Sequence, residues 1–313
     1  MKRAFVFPGQ GSQQLGMGLD LAEAFAPARI LFEEVDDALS QHLSRLMFEG
    51  PESDLTLTEN AQPALLAASL AVIRVLEAEA GFDIGTQVAY VAGHSLGEYS
   101  AHAASGTLSV ADAVRLVKRR GQAMQKAVPV GEGAMAAILG LEVEAAREIA
   151  ERACQGQICA VANDNSPGQI VVSGHAAAVE RAIGLASERG ARRSIMLPVS
   201  APFHSPLMAP AADIMAEALE ETALVAPAVP LVANVTAKPT SEPEEIKQLL
   251  IEQVTNMVRW RETVLMCAEN EVEEIVELGA GRVLTGLVKR IDKTLAAVSV
   301  GSPSEIEALM KRL

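Results

Sequence analysis

Cysteine is scarce: Cys154, Cys159 and Cys267 are the only three in 313 residues. Their odd number excludes a fully paired disulfide framework, and their spacing supplies no metal-ligand set with nearby histidines, so they read as core thiols. Cations are also in short supply. Lys and Arg total 26 against 40 Asp and Glu, a formal net charge of −14. A phosphate backbone is attracted by excess Lys and Arg, so nucleic-acid binding is not expected, and an anionic partner must dock on a local basic patch. No uninterrupted apolar run reaches the roughly 18 residues that a membrane span needs. The opening MKRAFVFPGQ lacks the apolar stretch and small-residue cleavage site of a signal peptide. The chain is therefore expected to be cytoplasmic, with no membrane partner. Low-complexity tracts are absent, and with half of the residues hydrophobic the chain can bury a large core of one or two domains.

Short β-rich runs alternate with helical periodicity from end to end, the pattern of an α/β protein with a largely parallel sheet. Arg3 to Phe7, Val88 to Ala92, Leu231 to Val235 and Glu274 to Leu278 are the predicted core strands. The lack of polar alternation in Val88 to Ala92 suits a strand covered on both faces. Long helices are predicted over Ala64 to Ala80, Val110 to Ala127 and Pro206 to Thr222, the last capped by Ser205 with Pro206 in its first turn. From Gly133 the order changes to strand (134–139), helix (143–153), strand (158–162), strand (169–173), helix (176–189), strand (194–198). This β-α-β-β-α-β order is ferredoxin-like. It predicts a small subdomain at 129–199 inserted into a discontinuous core, 1–128 and 200–313, with hinges at 129–131 and 199–202. The run from Asn163 to Gly168 is read as a turn.

The strongest chemical signal is Gly93-His94-Ser95-Leu96-Gly97, which directly follows an apolar strand and precedes a helical stretch. In that context G-x-S-x-G describes a nucleophile elbow, a tight turn that lifts a serine hydroxyl above the sheet. The following helix aims its N-terminus at the site, where its N–H groups can hold an oxyanion. A serine needs a base. Among five histidines, His94 adjoins the nucleophile and is expected to point elsewhere, while His42, His102 and His175 lie in helical or helix-start contexts. His204 lies in the loop Ser200-Ala201-Pro202-Phe203-His204 before a helix whose positive end disfavours imidazolium, and a general base must be neutral. Arg120 falls on the apolar stripe Val110, Ala113, Val114, Val117, Met124, whereas Arg115 and Arg119 fall on the solvent side. An inward guanidinium needs an anion, either an internal carboxylate or the carboxylate of a substrate held in a bidentate clamp. Glycines on both sides of Gln10 allow its backbone N–H to approach a ligand as an oxyanion donor.

Taken together, FVFPGQGSQ (5–13), GHSLGEYSA (93–101), RRGQAMQ (119–125), NSPGQIVVSG (165–174), SAPFHSPLM (200–208) and LGAGRVLTGL (278–287) resemble, in that order, the malonyl-CoA:acyl-carrier-protein transacylase family. The resemblance covers essentially the whole chain. It implies an α/β-hydrolase-like core with an inserted ferredoxin-like subdomain, a nucleophile at Ser95, a base at His204 and a carboxylate-binding arginine at Arg120. It further implies oxyanion donors at the N–H groups of Gln10 and Leu96, and, in place of a triad carboxylate, a backbone carbonyl at Gln253 that orients His204. Phe203 matches the family feature that favours an unbranched malonyl group over a methyl-branched one. Met257 and Ala280 depart from the family's usual proline and Gly-Pro-Gly, and concern only loop geometry.

The implied reaction is ping-pong transfer of malonyl from malonyl-CoA to the thiol of acyl carrier protein through a malonyl-serine, with no cofactor and no metal, by a monomer. Lys118-Arg119, Arg189-Arg192-Arg193 and Lys289-Arg290 are the candidate carrier-docking clusters. An acyltransferase of a polyketide synthase or malonate decarboxylase is the alternative within the class. A serine esterase or thioesterase is less favoured, because the chain has no HGGG-type motif and more than a hundred residues follow His204.

Overall fold

A computed structural model describes residues 1–199 and 201–313; Ser200, the first residue of the His204 loop and part of the predicted 199–202 hinge, lies outside the described residues. The chain folds as an α/β-hydrolase-like core carrying a smaller antiparallel sheet. Among the described residues ten strands form two sheets: β1 (Arg3–Phe7), β2 (Tyr90–Gly93), β3 (Gly133–Leu139), β4 (Cys159–Ser166), β5 (Gln169–His175), β6 (Arg193–Met196), β7 (Leu231–Val232), β8 (Pro239–Thr240), β9 (Glu274–Leu278) and β10 (Ala296–Val300). The core sheet has the order β10-β9-β1-β2-β7-β8. All its neighbours are parallel except β7 and β8.

Every residue of β1 and β9 is buried, because helices cover both faces of the sheet. Alternate side chains feed opposite cores, Phe5 and Phe7 entering one and Ala4 and Val6 the other. The two glutamates of β9 are matched by fixed partners. Glu274 pairs with Arg3 and Arg312, and Glu277 accepts the free N–H groups of Leu284 and Thr285 at the start of the Val283–Ile291 helix.

The predicted 64–80 helix begins earlier, at Thr58, and keeps Pro63 in its second turn. Its first turns are held by side chains: Thr58 accepts from Gln10, Asn60 from Lys118 and Gln62 from Arg120. By length and composition this helix could cross a membrane, yet 83% of its apolar window is buried inside the fold; it is the central core helix. Gly121 lets the Val110–Lys126 helix pass close by, since a Cβ there would stand 2.7 Å from Glu59 Cα and Thr58 O. The expected helix at 206–222 opens instead as a 3₁₀ turn, Pro206–Met208, and becomes α-helical over Ala209–Glu220. Ser205 does not cap it: its hydroxyl donates to Pro202 O at 2.7 Å.

β3 to β6 form an antiparallel sheet of order β4-β5-β3-β6, which with helices Val143–Cys154 and Ala176–Glu188 is the ferredoxin-like arrangement. It has its own apolar core around Ile138, Ile149, Val172 and Val179. The expected turn at 163–168 shrinks to Pro167-Gly168, because Asn163 to Ser166 continue β4 through register shifts. That extension also joins the two units. Val258 bridges Asn163 in parallel, and Arg261 pairs with the buried Asp164 at 2.9 Å. Cys159 and Cys267 are buried and Cys154 half-buried, all as free thiols.

Candidate active site

Ser95 stands between β2 and the Gly97–Ala104 helix with φ 54°, a left-handed backbone that lifts its side chain out of the strand direction. The flanking glycines are required sterically. A Cβ on Gly93 would fall 1.9 Å from the Gly97 backbone, and one on Gly97 would fall 2.2 Å from Phe7 O. Gly9 serves the same close approach from the other side, its position for a Cβ lying 2.6 Å from His94 O. The 8–11 loop is thereby brought against the elbow. Neither Gln10 N–H nor Leu96 N–H has a partner among the described residues, so both donors are free for an oxyanion at the cavity they line.

His204 Nε2 lies 2.7 Å from Ser95 Oγ, and its Nδ1 lies 2.9 Å from Gln253 O. A carbonyl only accepts, so Nδ1 carries the hydrogen and Nε2 is left as the acceptor for the serine proton. His204 also has a left-handed backbone, φ 54°. Its imidazole is held neutral, pushed down to about 3, first by burial and then by the positive charge of Arg120. Burial and the arginine account for the neutral ring.

Arg120 is 1% exposed, whereas the Arg115 and Arg119 side chains are 59% and 39% exposed. It makes no ion pair among the described residues. Its fork donates to Gln62 Oε1 at 2.8 Å, Gln253 Oε1 at 2.8 Å and Ser95 Oγ at 3.1 Å, while Tyr99 presents its ring 5.7 Å away. A buried guanidinium whose fork meets only neutral oxygens, and whose Nε has no partner among the described residues, is placed beside the nucleophile to receive an anion.

Ser95, His204, Arg120, Gln10 and Leu96 line a cavity of about 370 Å³ with Phe203 and Met135. A separate hollow of about 470 Å³, between residues 14–21 and 279–282, contains none of them. His94 lines the reactive cavity too, but its Nε2 is engaged by Asn165 Oδ1 at 2.8 Å. His102 is buried in the core without a hydrogen-bond partner among the described residues, and His175 accepts from Ile158 N–H.

Four contributors were not foreseen. Asn234 accepts Ser95 N–H at 2.8 Å and donates to Gly93 O at 2.6 Å, tying down both sides of the elbow. Glu98, Gln62 and the Gln253 carboxamide complete the shell around Arg120. The only sequence hint was the polar character of Gln62 and Glu98 on otherwise buried helices.

The sequence model of the acyl transferase domain family matches residues 4–312. A malonyl CoA-acyl carrier protein transacylase of Bacillus subtilis is 46% identical over 313 residues, covering 100% of this chain and 97% of that protein. Among solved structures, an acyl-carrier-protein-S-malonyltransferase from Bartonella henselae shares 55% identity with a TM-score of 0.97, covering 100% of this chain and 99% of that one. A malonyl-transacylase in complex with its holo type II polyketide-synthase acyl carrier protein shares 44% identity with a TM-score of 0.96, covering 100% of both chains.

Proposed function

The chain belongs to the acyl transferase family, and on that premise we propose that it transfers a malonyl group from malonyl-CoA to the phosphopantetheine thiol of acyl carrier protein through a malonyl ester on Ser95. The observation that carries the choice of acyl group is the 3.1 Å contact between Arg120 Nη2 and Ser95 Oγ. In a malonyl thioester the terminal carboxylate is separated from the reacting carbonyl by a single methylene. A cation this close to the nucleophile therefore suits a short acyl chain that ends in a carboxylate.

His204 Nε2 takes the Ser95 proton as Oγ bonds to the thioester carbonyl carbon. The charge moves to the carbonyl oxygen, where the N–H groups of Gln10 and Leu96 receive it. Collapse breaks the C–S bond, and the imidazolium returns its proton to the leaving coenzyme A sulfur. The carrier thiol then enters, gives its proton to His204, attacks the ester and regenerates Ser95. The cycle uses only groups of this chain, and we place it in the cytoplasm, in a monomer supplying malonyl carrier protein to fatty acid synthesis.

For the carrier, the candidate clusters separate by their partners. Lys118 is engaged by Glu59 and Asn60, Arg119 by Glu217 and Glu221, and Arg189 by Glu148. The other two clusters lie together. Leu139 pairs with both Arg193 and Gln169, and Gln169 accepts from Arg290 at 2.6 Å. Arg192, Arg193, Lys289 and Arg290 therefore form the basic edge that we assign to an acidic carrier. Assaying transfer from malonyl-, methylmalonyl- and acetyl-CoA to purified fatty-acid and polyketide carrier proteins tests the reading. It predicts malonyl transfer to the fatty-acid carrier at the highest kcat/KM; a preference for acetyl-CoA, or hydrolysis without transfer, would contradict it.

A further inference from the structure

Gln253 acts through two parts that are mechanically distinct. Its main-chain carbonyl, at the end of the Pro243–Gln253 helix, accepts from His204 Nδ1 and is fixed by the helix backbone. Its carboxamide is free to turn. In the structure, Oε1 accepts from Arg120 Nη2 at 2.8 Å, and Nε2 donates to Ser95 O at 2.9 Å and to Glu98 Oε2 at 2.7 Å. A carboxamide has one donor end and one acceptor end of nearly equal shape, so its surroundings dictate which way it faces. Ser95 O can only accept. Glu98 Oε2 accepts as well, from Gln253 and from Asn234 N–H at 3.2 Å. With these two oxygens on one side, the amide must present Nε2 to them and leave Oε1 for the guanidinium. Turned over, it would set NH₂ against guanidinium and oxygen against oxygen.

We infer that Glu98 is a positioning residue for donor specificity: its Oε2 locks the Gln253 carboxamide in the orientation that holds the Arg120 fork at Ser95. The inference rests on the reading of Arg120 as the clamp for the malonyl carboxylate. The indirect arrangement has a physical consequence. A direct Glu98–Arg120 ion pair would fill the fork with a resident anion, whereas an interposed amide holds it with a neutral oxygen and leaves its charge for the incoming carboxylate. Glu98 is 1% exposed, and burial raises its carboxyl to about 7. Oε2 can accept in either protonation state, so the acceptor rather than the charge is the working feature. Because the base is oriented by the main chain of Gln253, loss of Glu98 acts first on the clamp; it also removes the partner of Asn234 N–H behind the elbow, a loss that both donors share.

Steady-state kinetics with malonyl-CoA and acetyl-CoA decide it, on wild type, Glu98→Met, Glu98→Gln, Arg120→Ala and the Glu98→Met/Arg120→Ala double variant. Glu98→Met, similar in length but without the acceptor, should raise the malonyl KM and lower malonyl kcat/KM relative to acetyl kcat/KM by about tenfold, the equivalent of about 1.4 kcal/mol, beyond the loss that both donors share through Asn234. Glu98→Gln retains the acceptor and should rescue malonyl kcat/KM to within about threefold of wild type, roughly the size of an ordinary context effect. In the Arg120→Ala background, Glu98→Met should cause no further change in malonyl over acetyl kcat/KM, because both act on selectivity through one fork. Equal losses on the two donors, additivity of the selectivity changes in the double variant, or a Glu98→Gln defect as large as that of Glu98→Met would overturn the inference. If Arg120→Ala alone depressed both donors equally, the clamp itself would be refuted, an outcome distinct from a failure confined to the Glu98 variants. Should Glu98→Met not fold, Glu98→Asp withdraws the acceptor by one methylene and should give a smaller malonyl-selective loss; an equal loss on both donors again overturns it.

Discussion

Replacing Arg120 by alanine separates recognition of the acyl group from the chemistry of transfer. Malonyl- and acetyl-CoA present the same reacting carbonyl and differ by one terminal carboxylate, so a group that distinguishes them must meet that charge. Arg120 is the buried cation beside Ser95 Oγ, held by Gln62 and Gln253. Truncating one partner of a buried, hydrogen-bonded charge pair costs about 2–5 kcal/mol, a thirtyfold to several-thousandfold loss at about 1.4 kcal/mol per decade. Malonyl kcat/KM in Arg120→Ala should fall by that much. Acetyl transfer should hold or rise, since a desolvated guanidinium no longer faces an uncharged tail. Arg120→Lys should recover malonyl only in part, because a point charge cannot reproduce the fork. The substitution also acts on the base. Arg120 is the second cause, after burial, of the low proton affinity of His204. Removing it makes the imidazole more basic, so the acid limb of the acetyl kcat/KM profile should move to higher pH. Kinetics on both donors across pH check both effects. Equal losses for malonyl and acetyl, with an unmoved acid limb, would mean that Arg120 supports the fold and not the specificity.

Three further outcomes follow from the same structure. His102 is buried, lacks a hydrogen-bond partner among the described residues for either ring nitrogen, and is pushed by burial from 6.5 to about 3. Below pH 6.5 the unfolded chain takes up a proton that the folded chain refuses, so this residue alone should cost up to ~1.4 kcal/mol of stability per pH unit of acidification. His102→Leu should raise the melting temperature and flatten its fall between pH 7 and pH 5; an unchanged slope would refute the assignment. Phe203 lines the cavity beside His204 and is 8% exposed. Phe203→Ser should raise methylmalonyl over malonyl kcat/KM by about tenfold, the usual value of one methyl group in a pocket, and a constant ratio in donor competition would place Phe203 in the core alone. Charge reversal at Arg193 and Lys289 should raise KM for carrier protein with a reduced salt dependence and leave KM for malonyl-CoA unchanged, whereas Lys118 and Arg119, already engaged by acids, should matter less. Carrier kinetics insensitive to the first pair would remove the docking edge.

What could be read from the sequence followed from how local each signal is. β1 and β9 are short β-rich runs closed by Pro8 and Gly279, and their predicted bounds coincide with the observed ones although Arg3, Glu274 and Glu277 are charged. The elbow was legible because strand, G-x-S-x-G and helix are contiguous. β10 was missed, since an edge strand of partly exposed Ala, Val and Ser has no strong pattern. Val235 was expected in a strand, but the chain leaves the sheet after Val232 so that Asn234 can bind the elbow. The 163–166 segment has turn residues and pairs nonetheless, because β5 and Val258 supply its backbone partners. Gln62 and Glu98 meet Arg120 and Gln253 across 58 and 155 residues of chain. No local periodicity encodes such contacts; they exist only once helices from distant segments converge on Ser95.

Intact-mass analysis after brief mixing with malonyl-CoA, in the absence of carrier protein, reads the malonyl ester on Ser95 itself. One added malonyl mass per chain is expected, located by peptide mapping to Ser95, absent from Ser95→Ala and discharged when holo acyl carrier protein is added. An adduct that persists in Ser95→Ala, or transfer to carrier protein by that variant at an undiminished rate, would contradict it.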